Sequence, residues 1–78
     1  MERTEIFEKL NEIFIDVLDL DEVELSDETS ADDIDEWDSL SHIQLIVAIE
    51  KEFGLKFTSK EIMSWKNVGE MIDCILSK

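Results

Sequence analysis

The segment from Ser39 to Phe53 constrains the fold most, because it is the most apolar helical stretch of the chain and neither Gly nor Pro interrupts it. Four of its apolar residues fall on one face of a helix, which we expect to be buried: Leu45, Ile46, Ile49 and Phe53. Gly54 follows directly, and glycine readily takes the left-handed conformation that ends helices. The segment therefore predicts a helix over residues 39–53.

The same helix carries a second apolar stripe, formed by Leu40, Ile43 and Val47, about 100° from the centre of the first. A helix with two apolar stripes either lies at the centre of a bundle or presents one stripe to a partner. We expect Ile43 to be buried, and Leu40 and Val47 to be at least partly exposed. His42 shares the first face, and we expect it to be a partly buried packing residue.

Helical spacing recurs on both sides of this segment. A first helix is predicted over residues 4–18, with six apolar residues on one side: Ile6, Leu10, Ile13, Phe14, Val17 and Leu18. Thr58 and Glu61 have the spacing of a capping box and open a short third helix that ends near Trp65. Asn67 and Glu70 repeat this spacing before a fourth helix. The sequence thus predicts a single all-α domain over residues 1–78, a small bundle of three longer helices and one short one.

Between the first two helices, residues 19–37 lose the helical spacing and fill with acidic and hydroxyl residues. We expect a long ordered loop with four apolar anchors, which are Leu20, Val23, Leu25 and Ile34. Asp33, Asp35 and Asp38 suggest a calcium loop, but the glycine and the glutamate that such a loop needs are both missing. The sequence predicts no specific metal site.

Charge is distributed unevenly along the chain. Residues 10–50 contain fourteen acids and no Lys or Arg, whereas the two flanks hold seven acids and seven bases, so the net charge of −14 lies in one half. This sign excludes nucleic acid as a partner and favours a basic partner surface. The alternative is that the acids only keep a small protein in solution.

Several other functions have little support in the sequence. A single cysteine, Cys74, excludes an internal disulfide, and we expect its thiol to be exposed, unactivated and without a catalytic role. No apolar run is long enough to span a membrane, and the charged N-terminus lacks the apolar region of a signal peptide. We therefore expect a cytoplasmic protein that does not insert into membranes.

The candidate functional residue is Ser39. Asp38 has the side chain preferred at a helix N-cap, which makes Ser39 the first or second helical residue, with its hydroxyl pointing outward. At this end of a helix the dipole and the unpaired amides favour negative charge, so a phosphate group would be well placed on the serine. The alternative is that Ser39 only helps to start the helix.

The chain resembles the acyl carrier proteins, including the peptidyl and aminoacyl carrier domains, along essentially its whole length. The most specific part of this resemblance is WDSLSHIQLIVAIEKEFGLKF, in which the triplet Asp38-Ser39-Leu40 opens a helix that finishes in Glu52-Phe53-Gly54. The acidic loop and the sequence NVGEMI at the start of the fourth helix add to it. This resemblance implies a carrier rather than an enzyme.

In that family a separate phosphopantetheinyl transferase attaches 4'-phosphopantetheine covalently to the serine that matches Ser39. The thiol of the arm then carries acyl or aminoacyl groups as thioesters, which loading enzymes and downstream synthases or transferases exchange. The family often has glycine where this chain has Trp37, which we expect to shape the surface around the arm. It also often has acids where this chain has Ser41 and Gln44, and this difference favours a specialised biosynthetic pathway over fatty-acid synthesis.

We expect the carrier to act as a monomer and to dock on basic partners. Leu40 and Val47 would supply the apolar contact, and Asp35, Glu36 and Glu50 would steer the partner into place. An alternative is a carrier-shaped adaptor that stays unmodified and binds basic surfaces through its acidic face. A hydrolase has the least support, because Ser39 lacks a nucleophile elbow and His42 lacks an orienting carboxylate.

Overall fold

The computed structural model describes residues 2–78, which form four α-helices and no strand. The helices are α1 (Arg3–Leu18), α2 (Ser39–Phe53), α3 (Ser59–Ser64) and α4 (Val68–Leu76). One 3-10 turn, Ala31–Asp33, lies in the long loop between α1 and α2. The predicted all-α bundle is confirmed, and α1 begins one residue earlier than predicted. None of the helices in this part of the chain is long and apolar enough to cross a bilayer.

The core lies between α1, α2 and α4, because α1 packs against both of the other helices. α2 ends as predicted, at Gly54 with φ +65°. Three loop anchors, Leu20, Val23 and Ile34, are partly buried against the core as expected. Twelve buried side chains form one cluster: Ile6, Leu10, Phe14, Leu18, Leu25, Trp37, Leu45, Ile49, Val68, Met71, Ile72 and Ile75.

The outer stripe of α2 is left uncovered. Leu40 is 72% exposed and Val47 is 47% exposed, which confirms both predictions. Ile43 is 55% exposed, so its predicted burial is wrong. α2 packs mainly against α1, and these three side chains lie away from that contact. The three residues therefore form one continuous apolar strip on the surface.

The two predicted capping boxes differ in how far they form. The Thr58 hydroxyl accepts from the Glu61 N–H at 3.1 Å, and the Glu61 carboxylate accepts from the Thr58 N–H at 2.9 Å. At α4 the Asn67 side chain accepts from the Glu70 N–H at 2.9 Å, but the Glu70 carboxylate accepts from Lys66 N–H and not from Asn67. The second box is therefore only half formed.

The long loop supplies the remaining partners for the start of α4. The N–H of Val68 donates to Thr29 O at 2.8 Å, and the N–H of Gly69 donates to Asp27 O at 3.0 Å. Helices begin with amides that have no partner inside the helix, and the loop backbone satisfies two of them here. The loop is thus bonded to α4 through its main chain.

Cys74 differs from the expectation of an exposed thiol. It is partly buried, and its Sγ donates to the Glu61 carboxylate at 3.4 Å. Burial and this carboxylate raise the pKa of the Cys74 thiol, so the expected lack of activation agrees with its surroundings. The same carboxylate accepts from the Lys78 ammonium at 2.8 Å, and this bond is the main reason why the pKa of Glu61 falls to about 2.

Gly69 allows the close approach of the loop to α4, and its replacement tests that contact. A Cβ at this position would lie 2.9 Å from Asp27 O, closer than a carbon and a backbone oxygen tolerate. We expect Gly69→Ala to lower the free energy of unfolding by about 1–2 kcal/mol in chemical denaturation. In an unhindered helix the same change stabilises by up to about 1 kcal/mol. An alanine variant as stable as the parent protein would contradict the packing described here.

Candidate functional site

Ser39 is the first residue of α2, and its side chain is exposed. Its hydroxyl makes no hydrogen bond to any residue in the range 2–78, so the oxygen is available to another molecule. Asp38 precedes it as the N-cap in an extended conformation. The position predicted for Ser39 is therefore the one the structure has.

A reciprocal capping box fixes the backbone around Ser39. The Asp38 carboxylate accepts from the Ser41 N–H at 2.9 Å, and the Ser41 hydroxyl accepts from the Asp38 N–H at 2.8 Å. The Ser41 hydroxyl also donates to Glu36 O at 2.9 Å. The bonds from Ser41 lower the pKa of Asp38, which is therefore ionised near neutral pH. Ser41 is therefore a structural cap.

The start of α2 favours a phosphate group on Ser39. The dipole of a helix places partial positive charge on its first turn, and an attached anion is stabilised there. Part of this effect is already used by the Asp38 carboxylate, which lies beside Ser39 and accepts from the first turn. The Ser39 hydroxyl takes part in none of the capping bonds, so substitution on its oxygen breaks none of them.

A cleft of about 530 Å³ opens beside Ser39, between the start of α2 and the segment that contains α3. Its lining is mostly apolar and aromatic, and sequence reasoning missed its contributors from α3 and beyond, Ile62, Met63 and Trp65. The full lining consists of Ala31, Trp37, Asp38, Ser39, His42, Ile43, Ile62, Met63, Trp65, Lys66, Asn67 and Met71. The helical spacing predicted α3, but nothing in the sequence indicated which of its sides would face Ser39.

Trp37 forms the floor of this cleft. We expected it to shape the surface, but it is only 7% exposed and belongs to the core, where it lies edge-on to Phe14 with 5.0 Å between ring centroids. Its indole Nε1–H donates to His42 Nδ1 at 3.1 Å. A buried indole N–H needs such a partner, so this bond makes the burial of Trp37 possible.

His42 is partly buried, as predicted, and it links two tryptophans. Its ring is stacked on Trp37 with 6.0 Å between ring centroids. It stands edge-on to Trp65 with 6.3 Å between centroids. Trp65 in turn lies edge-on to Phe57 with 4.8 Å between ring centroids. Burial lowers the pKa of His42, opposed by a hydrogen bond to the Ile62 backbone. These aromatic contacts connect the start of α2 with the segments on both sides of α3.

The predicted acidic docking residues lie at two places: Asp35 and Glu36 precede Ser39 in the chain, whereas Glu50 lies in the last turn of α2. Asp35 and Glu36 are exposed on the loop that leads into α2. Glu50 is partly buried, and its carboxylate accepts from the Phe57 N–H at 2.9 Å. Glu50 therefore holds the loop after α2 in addition to carrying charge. No three His, Cys, Asp or Glu side chains within the described residues are grouped so that they could hold a metal ion.

Comparison with known proteins shows which family this chain is similar to. The model of the family described as "Phosphopantetheine attachment site" matches residues 8–75. The chain is 37% identical over 79 residues to the acyl carrier protein of Petrotoga mobilis, covering 100% of this chain and 92% of the relative. It is also 37% identical over 79 residues to the acyl carrier protein of Thermosynechococcus vestitus, covering 100% of this chain and 96% of that relative.

A solved structure agrees with these sequence matches. The solution NMR structure of the holo acyl carrier protein from Geobacter metallireducens superposes with a TM-score of 0.85. The two sequences are 46% identical, and the match covers 92% of this chain and 83% of that chain. The predicted resemblance is therefore confirmed in sequence and in fold.

The cap formed by Ser41 can be tested by removing its hydroxyl. Ser41→Ala loses the bonds to Asp38 N–H and Glu36 O, and we expect the free energy of unfolding to fall by about 1 kcal/mol. Gln44→Ala, at an exposed position one turn along the same helix, should change it by less than about 0.5 kcal/mol. Equal effects of the two substitutions in urea denaturation would show that the cap does not stabilise the start of α2.

Proposed function

The chain belongs to the acyl carrier protein family, and from this membership we propose that Ser39 is the residue that carries the phosphopantetheine arm. Members of this family are carriers without catalytic activity, and a phosphopantetheinyl transferase attaches their cofactor. The observation that supports Ser39 is its exposed, unbonded hydroxyl at the first position of α2, inside the Asp38-Ser39-Leu40 triplet.

The geometry of α2 suits the proposed attachment. The Ser39 oxygen would form a bond to the phosphorus that carries the pantetheine arm and give its proton to a base of the transferase. The phosphoanhydride bond of coenzyme A would break, and its nucleotide portion would leave. This chain needs no base or metal of its own, because phosphoryl transfer depends on positioning and charge stabilisation that a transferase supplies. The chain contributes an oxygen held on a rigid helix start and a local field that tolerates the phosphodiester.

We propose that the arm carries acyl or aminoacyl groups as thioesters in a dedicated biosynthetic pathway. Of the two departures from the pattern common in fatty-acid synthesis, Ser41 carries no weight, because the helix cap explains it. The support comes from Gln44, which is exposed one turn after Leu40 and replaces a charge that partners could read. Incubation with candidate loading enzymes of different pathways distinguishes the dedicated role from a general one.

The docking surface that we propose combines an apolar strip with an acidic margin. Leu40, Ile43 and Val47 form the strip, and Met63, 84% exposed on α3, extends it across the cleft. The acidic margin consists of the predicted residues Asp35, Glu36 and Glu50. An apolar centre with a charged rim is the usual arrangement of protein interfaces, and its charge matches a basic partner.

The attachment site can be tested by intact mass. With a broad-specificity transferase and coenzyme A, the protein should gain the mass of one phosphopantetheine, and Ser39→Ala should gain none while it keeps its helical circular dichroism. Ser59 provides a matched control, because it is also the exposed first residue of a helix that follows an N-cap. Ser59→Ala should be modified normally. A parent protein that stays unmodified would favour the adaptor function instead.

The docking surface can be tested by replacing one apolar residue of the strip and one acidic residue of the margin. Val47→Asp should reduce the kcat/KM of the transferase by the equivalent of about 1–3 kcal/mol, the cost of losing one packed interface residue. Leu76→Asp is the control, since Leu76 is 45% exposed on α4 and is not part of the strip. Unfolding of Val47→Asp, or equal losses in both variants, would argue against this docking surface.

Glu36→Gln should act differently, mainly by slowing association, and its effect should shrink as salt screens the charges. Glu8→Gln removes the same charge from the exposed side of α1 and serves as the control. We test Glu36 and not Glu50, because the bond of Glu50 to the Phe57 N–H would mix stability with docking. Salt-independent losses would show that Glu36 makes a direct contact and does not steer.

A further inference from the structure

The hydrogen bond between Trp37 and His42 sets the protonation state of the imidazole. An indole N–H can only donate, so Nδ1 of His42 must accept and its proton must lie on Nε2. A protonated imidazole donates from both nitrogens and would place two donors against each other at 3.1 Å. The bond therefore exists only while His42 is neutral.

This bond lies directly beside the attachment site. Trp37 and Ser39 are two residues apart, and the Asp38 cap lies between them. Because Trp37 is fixed in the core by Phe14 and by His42, it determines where the chain enters α2. Loss of the His42 bond would leave a buried indole N–H without its partner, which favours movement of Trp37 toward solvent.

We propose that His42 is a positioning residue for Ser39: as a neutral acceptor it holds Trp37, and with it the turn into α2, in the conformation that the transferase loads. The proposal rests on the proposed function of Ser39. When His42 is protonated, Trp37 is released and the protein presents Ser39 less well. His42 touches neither the cofactor nor the reacting oxygen in this role.

The surroundings of His42 limit what else could titrate with it. Two charged side chains line the cleft around the ring, Asp38 from the start of α2 and Lys66 from the link between α3 and α4. The other elements face the cleft or the Trp37 ring with uncharged side chains: Phe14 from α1, Ala31 from the loop, Ile62 and Met63 from α3, and Met71 from α4. Asp38 is ionised throughout the range in which an imidazole titrates, since its pKa lies below the ordinary value of an aspartate.

The direction of the pH effect follows from burial. Burial lowers the pKa of His42 below its usual 6.5, so the unfolded chain takes up the proton first as pH falls. The stability that the neutral ring contributes is complete above 6.5 and is lost as pH falls through the folded pKa. The chain has one histidine, so no other imidazole contributes in this range.

The first test uses NMR on the unmodified, full-length protein. At neutral pH the ¹⁵N shifts of His42 should identify the Nε2–H form, and a scalar coupling should connect Trp37 Nε1 with His42 Nδ1 across the bond. Both signatures should be lost as the pH falls and His42 becomes protonated. The Trp37 indole signal should shift over the same pH range, with the same midpoint. A neutral-pH spectrum without the coupling, or an indole signal that ignores the titration, overturns the proposal.

The second test measures transferase loading one pH unit above and one below the measured midpoint. His42→Asn keeps an acceptor oxygen near the place of Nδ1 and does not titrate. The ratio of parent to His42→Asn kcat/KM should fall between the two pH values, by up to about tenfold, because the neutral fraction of His42 falls about tenfold. Dividing by the variant removes the pH dependence of the transferase itself.

A third protein separates positioning from simple packing. His42→Phe keeps a ring against Trp65 but removes the acceptor, so it should load more slowly than His42→Asn at both pH values. If His42→Phe does not fold, the comparison of the parent with His42→Asn decides alone. A ratio that stays constant with pH overturns the role of His42, whereas absence of any loading of the parent protein at neutral pH overturns the proposed function of Ser39.

Discussion

The main-chain bonds between the long loop and α4 are the interaction on which the rest of the structure depends. A segment of about twenty residues without regular structure has many polar backbone groups to satisfy, and few loops of this length stay ordered without help. Here Asp27 O and Thr29 O accept from the first amides of α4, and the Asn11 side chain accepts from Leu25 N–H. With Leu25 and Trp37 buried, the loop acts as a structural layer that delivers Asp38 and Ser39 to their place.

The same loop concentrates negative charge where the chain meets its partners. Within residues 2–78 no charged side chain is fully buried, and the acids of the loop face water while its apolar anchors face the core. Mutual repulsion among the acids opposes compaction, and the anchors act against it. Arg3 links the loop to α4, since its guanidinium pairs with both Asp27 on the loop and Asp73 on α4. Exposed pairs contribute little to stability individually, so burial of the anchors dominates.

Helical spacing and capping residues were enough to predict the helices and the position of Ser39, because both depend on local sequence. Spacing tells which residues share a face, but it does not tell which faces the other helices cover. That is why Ile43 was expected inside the bundle and lies outside. Trp37 lies in a segment without helical periodicity, so nothing in the sequence indicated that it would be buried. The cap was predictable, because Asp38 and Ser41 have the three-residue spacing of a capping box. The cleft depends on α3 meeting the start of α2, a contact between distant parts of the chain.

The raised pKa of Cys74 has a consequence for the chemistry of a carrier. A thioester exchanges readily with a thiolate, so a reactive cysteine on a carrier could take the acyl group onto its own sulfur and release the thiol of the arm. Cys74 is held partly buried, protonated and bonded to the Glu61 carboxylate. The one cysteine in the sequence is therefore a poor nucleophile at neutral pH and competes weakly with the thiol of the proposed arm.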